Sequence, residues 1–214
     1  MAAILPFIPG ELPHLAQAVA RTLEAGDIVA VPTETYYGLA VNPFAAPAID
    51  RLFAAKGRAD GKPLLVLIGE PSQLSLLVPA VSPAARVLME TFWPGPLTIV
   101  LDAHPSLPES LTAGTGTVGV RLTGCVPLRQ LLTLVGPVTG TSANPAGAPP
   151  AATAETVQQT LGDRLALIVD AGRTPGGLPS TVLEARDIVR LVRAGAVTRH
   201  QIENVLQTHG IAVT

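Results

Sequence analysis

The chemistry-bearing residues of this chain gather at the ends of apolar runs. In Val31-Pro-Thr-Glu-Thr-Tyr-Tyr-Gly-Leu39 a short apolar run is followed at once by two threonines, a glutamate and the chain's two tyrosines. Pro32 has no amide proton for a sheet ladder, so a strand ends or edges there, and loops leaving strand ends are where sites are commonly built. Thr33, Lys56, Arg58, Thr117, Arg121, Thr141, Ser142, Asn144, Ser180 and Arg193 sit at comparable positions. Together they offer hydroxyls, an amide and cations, without a strong general base or nucleophile among them. Such a set suits transfer between phosphates, where positioning and charge stabilisation carry most of the catalysis. Each residue alone also has a structural explanation. Strand-end Ser, Thr and Asn satisfy turn backbones, tyrosines pack with their hydroxyls outward, and Lys56 before Gly57 reads as a cation in a last helical turn followed by a left-handed cap. Twelve of the fourteen cationic residues are arginine, and the two lysines, Lys56 and Lys62, fall in one short segment. A compact, flexible point charge is what phosphate sites use.

Other chemistries lose their support. Gly114-Thr-Gly-Thr-Val-Gly119 matches Gly-x-Gly-x-x-Gly, but it enters an apparent strand where a dinucleotide fingerprint must leave one. The segment from Gly57 to Lys62 resembles a phosphate-binding loop, with too few residues between its glycines and Pro63 where a magnesium-binding hydroxyl belongs. Neither Ser142 nor Ser180 lies in a nucleophile elbow. One cysteine, Cys125, cannot close a disulfide, and four histidines without ligand spacing give no expectation of a protein-built metal site. A net charge of -2 excludes a globally basic nucleic-acid binder while leaving room for a local basic groove. The proline-broken N-terminus is no signal peptide, and no apolar run approaches the roughly 18 residues of a membrane span. The expectation is a soluble cytoplasmic protein with no membrane partner.

The 214 residues, 48% hydrophobic and 14% charged, suffice for a packed core. Periodicity and caps predict helices over 11–25, 47–56, 83–92, 127–134 and 153–161, and a last one opened by the Thr198-x-x-Gln201 capping box and ended by Gly210. Strands are predicted over 27–31, 38–41, 64–68, 97–101, 117–122, 137–141 and 165–169, with 180–184 and 188–193 as a pair. Residues 145–152 form a loop of small residues, a plain connector or a mobile lid. Without repeats or an internal linker, the pattern predicts a single domain over 1–214, of α/β (α+β) class, on a twisted, open, mixed sheet.

Seven motifs then stand in a recognisable order: Pro32-Thr-Glu-Thr-x-Tyr-Gly-Leu39, Lys56-Gly-Arg58 with Lys62-Pro-Leu64, Trp93-Pro-Gly-Pro-Leu-Thr98, Val118-Gly-Val-Arg121, Thr141-Ser-Ala-Asn144, Pro179-Ser-Thr-Val182 and Val192-Arg-Ala-Gly195. In this the chain resembles the threonylcarbamoyl-AMP synthase family, the YrdC-like domain, from about the first helix to Gly195. The resemblance implies a YrdC-like fold with a large, positively lined concave cavity. It implies a nucleotidyltransferase that joins L-threonine, bicarbonate or CO2 and ATP into threonylcarbamoyl-AMP and pyrophosphate for N6-threonylcarbamoyladenosine in tRNA. Lys56 and Arg58 match the catalytic cations. Lys56, Arg58, Ser142 and Asn144 match the family's nucleotide signature, with Thr117, Thr141 and Arg193 as further ATP contacts. Thr33, Tyr37, Arg121 and Ser180 match threonine-holding positions. Magnesium arrives with ATP. The partners implied are ATP, L-threonine, bicarbonate, a downstream threonylcarbamoyl-transfer complex and, as an open question, tRNA or other RNA.

There are departures. Longer family members carry a histidine in the strand after Lys-Gly-Arg that touches threonine, and 64–68 has none. Asn144 precedes Pro-Ala-Gly rather than Leu-Ser-Gly, and the chain ends at Thr214 without the longer members' C-terminal domain. These differences place it with the short, single-domain branch. They keep alive a paralogue that binds RNA or a nucleotide in the same cavity without the activity. A carbamoyl-phosphate enzyme of the hydrogenase-maturation type is disfavoured, because one cysteine cannot build its zinc fingers.

Overall fold

Helix starts follow local hydrogen-bond chemistry. The Ser82 hydroxyl accepts from the amide of Ala85, Thr153 from Thr156, and Thr198 from Gln201, whose side chain returns the bond to complete a capping box. Gly57 closes its helix in the left-handed conformation, with φ 61° and ψ 33°. The computed structural model describes residues 1–57, 63–186 and 188–211. Arg58 and Lys62, singled out above, lie outside the described residues.

In chain order these residues form β1 (Ala3–Pro6), α1 (Leu12–Glu24), β2 (Val29–Val31), β3 (Gly38–Ala40), α2 (Ala46–Lys56), β4 (Leu65–Ile68), α3 (Pro83–Phe92) and β5 (Leu97–Asp102). They continue as α4 (Glu109–Thr112), β6 (Thr117–Leu122), α5 (Val126–Val135), β7 (Val138–Ser142), α6 (Ala154–Leu161), β8 (Leu167–Asp170), β9 (Thr181–Ala185), β10 (Val189–Arg193) and α7 (Arg199–Thr208). All predicted helices and strands are present. Five elements among the described residues are additional: β1, the short α4 and 3-10 segments at Pro9–Glu11, Pro71–Leu76 and Gly162–Arg164.

The strands form one sheet in the order β1-β8-β2-β3-β7-β4-β6-β5-β9-β10. The pairs β1/β8, β2/β8, β4/β6 and β5/β9 are parallel and the rest antiparallel, so the expected mixed α/β sheet is the one observed. Alternation sends each strand's side chains to opposite faces. On one face Ala30, Leu39, Val66, Ile68, Ile99, Val118, Val120 and Leu183 pack under α2, α3, α4, α6 and α7. On the other, Val29, Val31, Ala40, Leu67, Val138, Leu167 and Val169 pack under α1 and α5. Helix α5 lies very close to the sheet at Gly69, where a Cβ would stand 2.6 Å from the Arg129 carbonyl and the Thr133 amide. This second face is helix-covered over only part of its width. Over β5, β6, β9 and β10 no helix of the described residues covers it.

Candidate active site

The uncovered part of that face is the floor of a recess of about 980 Å³. Thr98 and Val100 of β5, Thr117, Gly119 and Arg121 of β6, Val182 and Glu184 of β9, and Arg190 and Val192 of β10 line it at alternate strand positions. Leu65 of β4 and Gly140 of β7, directly paired, extend the floor toward the helix-covered part. The apolar residues between these, Leu97, Ile99, Val118, Val120 and Leu183, face the opposite core. One period of two therefore builds both a core and a site.

Three loops wall the recess. In 33–38 the Thr33 hydroxyl donates to the Tyr36 carbonyl at 2.7 Å and accepts from the Thr35 amide at 3.1 Å, so it folds the turn while lining the cavity. Tyr37, fully buried, donates its hydroxyl to the Gly172 carbonyl at 2.8 Å and lies 3.3 Å from an Asp170 carboxylate oxygen. Burial, with Asp170 adding to it, raises its phenol well above the ordinary tyrosine value, so it stays a donor. Its amide donates to Ala151 and its carbonyl accepts from Ala143. Tyr37 thus ties the 33–38 loop to both other loops, 145–152 and 171–180. Tyr36, left unassigned by the motif, also lines the recess and donates to the Gly177 carbonyl at 3.2 Å.

Two arginines face the recess, Arg121 buried and Arg193 exposed. Arg121 is 5% exposed and lies 3.3 Å from Glu34, whose other carboxylate oxygen accepts from Thr123 at 2.7 Å. The 3.3 Å contact is a charge pairing without hydrogen-bond alignment, since neither Arg121 Nε nor Glu34 Oε1 makes a hydrogen bond. Burial lowers the Arg121 guanidinium from the usual arginine value; Glu34 opposes that shift and the nearby Arg193 adds to it. Arg193 donates to the Ser180 carbonyl at 2.8 Å and to its hydroxyl at 3.1 Å, and burial lowers it too. It reaches the recess because β10 is bulged. Arg190 pairs with Glu184 and Leu191 with Leu183, but Arg193 pairs with Val182, a cavity residue. Regular alternation would aim it at the far face.

Two of the signature residues, Ser142 and Asn144, lie at and just past the end of β7. Thr117, Thr141, Ser142 and Asn144 all line the recess, and Ser142 is exposed to it. Asn144 donates to the carbonyls of Pro145 and Ala148 at 2.9 and 2.7 Å, and its buried Oδ1 accepts nothing. Lys56 is buried behind this turn rather than on the cavity wall. Its ammonium donates to the Ser142 carbonyl and, at 3.0 Å, to the Asn144 carbonyl. Nine of the eleven expected site residues line one recess; Lys56 supports it from behind and Arg58 lies outside the described residues. Thr35, Thr98, Arg186 and Arg190 also line it without having been singled out. The signal for Thr98 was available: it is the polar residue alternating with buried Leu97 and Ile99.

At the rim, charges balance: Arg186 pairs with Asp102 and Glu184, and Arg190 with Glu184. At the two arginines that face the recess they do not. Glu34 serves Arg121, and among the described residues Arg193 has no ion-pair partner.

Comparison with known proteins accords with this geometry. The Sua5/YciO/YrdC family model, described as telomere recombination, matches residues 21–195. A threonylcarbamoyl-AMP synthase of Bacillus subtilis is 42% identical over 197 residues, covering 91% of this chain and 57% of that protein. A putative threonylcarbamoyl-AMP synthase of Mycobacterium tuberculosis is 36% identical over 185 residues, covering 86% of this chain and 85% of its own length. The crystal structure of P. abyssi Sua5 complexed with L-threonine is similar with a TM-score of 0.88 at 33% identity, covering 96% of this chain and 61% of that one. The chain therefore spans somewhat over half the length of the B. subtilis and P. abyssi proteins. With residues 21–195 matched and the M. tuberculosis protein similar over most of its length, this chain belongs to the Sua5/YciO/YrdC family.

Proposed function

We propose that the recess binds ATP and L-threonine together and that the chain is an L-threonylcarbamoyladenylate synthase. The observation that carries this reading is the charge imbalance in the recess, where two guanidiniums, Arg121 buried and Arg193 exposed, face one carboxylate. Arg193 leaves the recess with one positive charge in excess and Arg121 Nε is buried without a hydrogen-bond partner, so an anionic ligand is favoured there. Relatives named threonylcarbamoyl-AMP synthase and a Sua5 structure with bound L-threonine support the same choice of ligands.

In this reading Arg121 takes the threonine carboxylate, with Thr33 and Ser180 beside it. Tyr37 acts by holding the walls together. The amino group adds to CO2, forming an N–C bond and releasing a proton, and no protein nucleophile is required. A carbamate oxygen then attacks the α-phosphorus of ATP in line as the bond to pyrophosphate breaks. Arg193, Lys56 and Arg58 oppose the charge that grows on the phosphoryl oxygens. Thr117, Thr141, Ser142 and Asn144 hold the nucleotide. Magnesium comes with the triphosphate; among the described residues no group of three His, Cys, Asp or Glu side chains is placed to hold a metal. The product feeds threonylcarbamoyladenosine formation in tRNA through a downstream transfer complex. No described helix is long and apolar enough to cross a membrane, and we place the activity in the cytoplasm as one domain over 1–214.

A second reading, a relative that binds nucleotide or RNA without synthesis, is favoured by one observation. Leu65 and Leu67 give β4 an apolar cavity face where longer members present a histidine. Pyrophosphate release from ATP, magnesium and bicarbonate, with and without L-threonine, separates the two. Threonine-dependent release is expected; ATP binding with no such release would overturn the synthase reading.

A further inference from the structure

Thr98 belongs to none of the assigned ligand contacts, yet it is 1% exposed on the cavity floor and carries a hydroxyl. Among the described residues that hydroxyl has one polar partner, Ser180 Oγ at 3.2 Å. Ser180 Oγ has one further partner, Arg193 Nη2 at 3.1 Å. A guanidinium only donates, so one lone pair of Ser180 is occupied by Arg193. Either hydroxyl could donate across the Thr98–Ser180 contact; with Thr98, slightly the more buried of the two, as donor, its proton takes the other lone pair of Ser180. Both acceptor positions of Ser180 are then filled. In that arrangement its own proton has no acceptor among the described residues and is left for the recess that Ser180 lines.

We infer that Thr98 is a positioning residue that fixes the Ser180 hydroxyl as a hydrogen-bond donor toward an acceptor oxygen of the bound amino acid. This rests on the reading of the recess as a threonine site. The Thr98 methyl has a separate part: a Cβ at Gly119 would lie 3.1 Å from Thr98 Cγ2, so the methyl closes the floor there. Hydroxyl and methyl therefore have different tasks and can be separated by substitution. Thr98→Val keeps the shape and removes the proton that holds Ser180 in place. Thr98→Ser keeps the proton and removes the methyl.

Calorimetric titration of L-threonine, and separately of a non-hydrolysable ATP analogue, tests the inference, alongside the KM for threonine and kcat. Thr98→Val is expected to weaken threonine binding and raise its KM by about tenfold, the usual worth of one oriented hydrogen bond, with the ATP-analogue affinity and kcat near those of the unaltered protein. Thr98→Ser should restore threonine binding to within a few-fold. Unchanged threonine affinity in Thr98→Val would overturn the inference alone. So would equal losses for both ligands, or a Thr98→Ser protein as weak as Thr98→Val. An unaltered protein that binds the ATP analogue but not L-threonine would overturn the functional reading, and this inference with it.

Discussion

One face of one sheet has two fates in this protein. Where α1 and α5 lie on it, its side chains are valine, leucine and alanine, and the helices answer with Leu15, Val19, Leu128, Leu131 and Leu132. Where no helix lies, the same face mixes Val100, Val182 and Val192 with threonine, glycine, arginine and glutamate. Backbone geometry is continuous across both, since β4 and β7 contribute to each. The difference is in what covers the strands. A helix demands apolar partners and repays burial with roughly 2 kcal/mol for each large aliphatic side chain. An uncovered floor over an aqueous ligand must instead present hydrogen-bond donors and charge, and must support those groups from behind.

The sharpest way to break this contrast is to remove the support. Glu34→Leu leaves Arg121 buried beside Arg193 without its carboxylate, and a loss of about 3 to 5 kcal/mol in unfolding free energy is expected from urea titration. The double variant Glu34→Leu with Arg121→Met turns this corner into covered-face chemistry. It should regain most of that stability while losing threonine-dependent pyrophosphate release. A double variant as unstable as the single one would show that shape, not charge, governs the corner.

On the covered side, Leu131 is 1% exposed between α5 and the sheet. Leu131→Ala should cost about 3 kcal/mol by the same titration, with KM values for ATP and threonine unchanged. Lys56→Ala tests the boundary. From its place in the motif alone, turnover should fall and stability should hold. Its bonds to the Ser142 and Asn144 carbonyls change that expectation, because the turn loses its anchor. A fall of about a hundredfold in kcat should come with a loss of about 1 to 2 kcal/mol in stability. Turnover lost with no change in the melting curve would make Lys56 a ligand contact only.

The smallest effect belongs to the rim. The Arg186 and Arg190 guanidiniums hold the Glu184 carboxyl below its ordinary value of 4.5. A depressed folded-state value means that the bridge contributes in full above that ordinary value and is lost as pH falls through the lower folded one. Thermal melts of Glu184→Gln should therefore differ from the unaltered protein at neutral pH by less than about 1 kcal/mol and converge with it in acid.

Much of this was readable from local chemistry. Ser82, Thr153, Thr198 and Gly57 mark helix ends because each satisfies or releases backbone groups within a few residues of itself. The alternation in 97–101 and 117–122 already separates a core face from a polar one. Strand β1 was not readable. It is four residues long, it closes on Pro6, and its partner β8, Leu167–Asp170, lies far along the chain. Tyr36 and Tyr37 were not distinguishable either, since adjacent residues differ only in which way the turn aims them.

The amino-acid sequence by itself determined the helices, most strands, the family and the inventory of hydroxyls and cations, because caps, periods and motifs act over short stretches. Tertiary structure alone decided which groups meet. The β10 bulge turns Arg193 into the recess, the pairing of β4 with both β6 and β7 sets Leu65 between Gly119 and Gly140, and Lys56, expected as a nucleotide contact, comes to lie behind the Ser142–Asn144 turn. Those outcomes depend on register and packing between segments far apart in the chain, and no local pattern encodes a register.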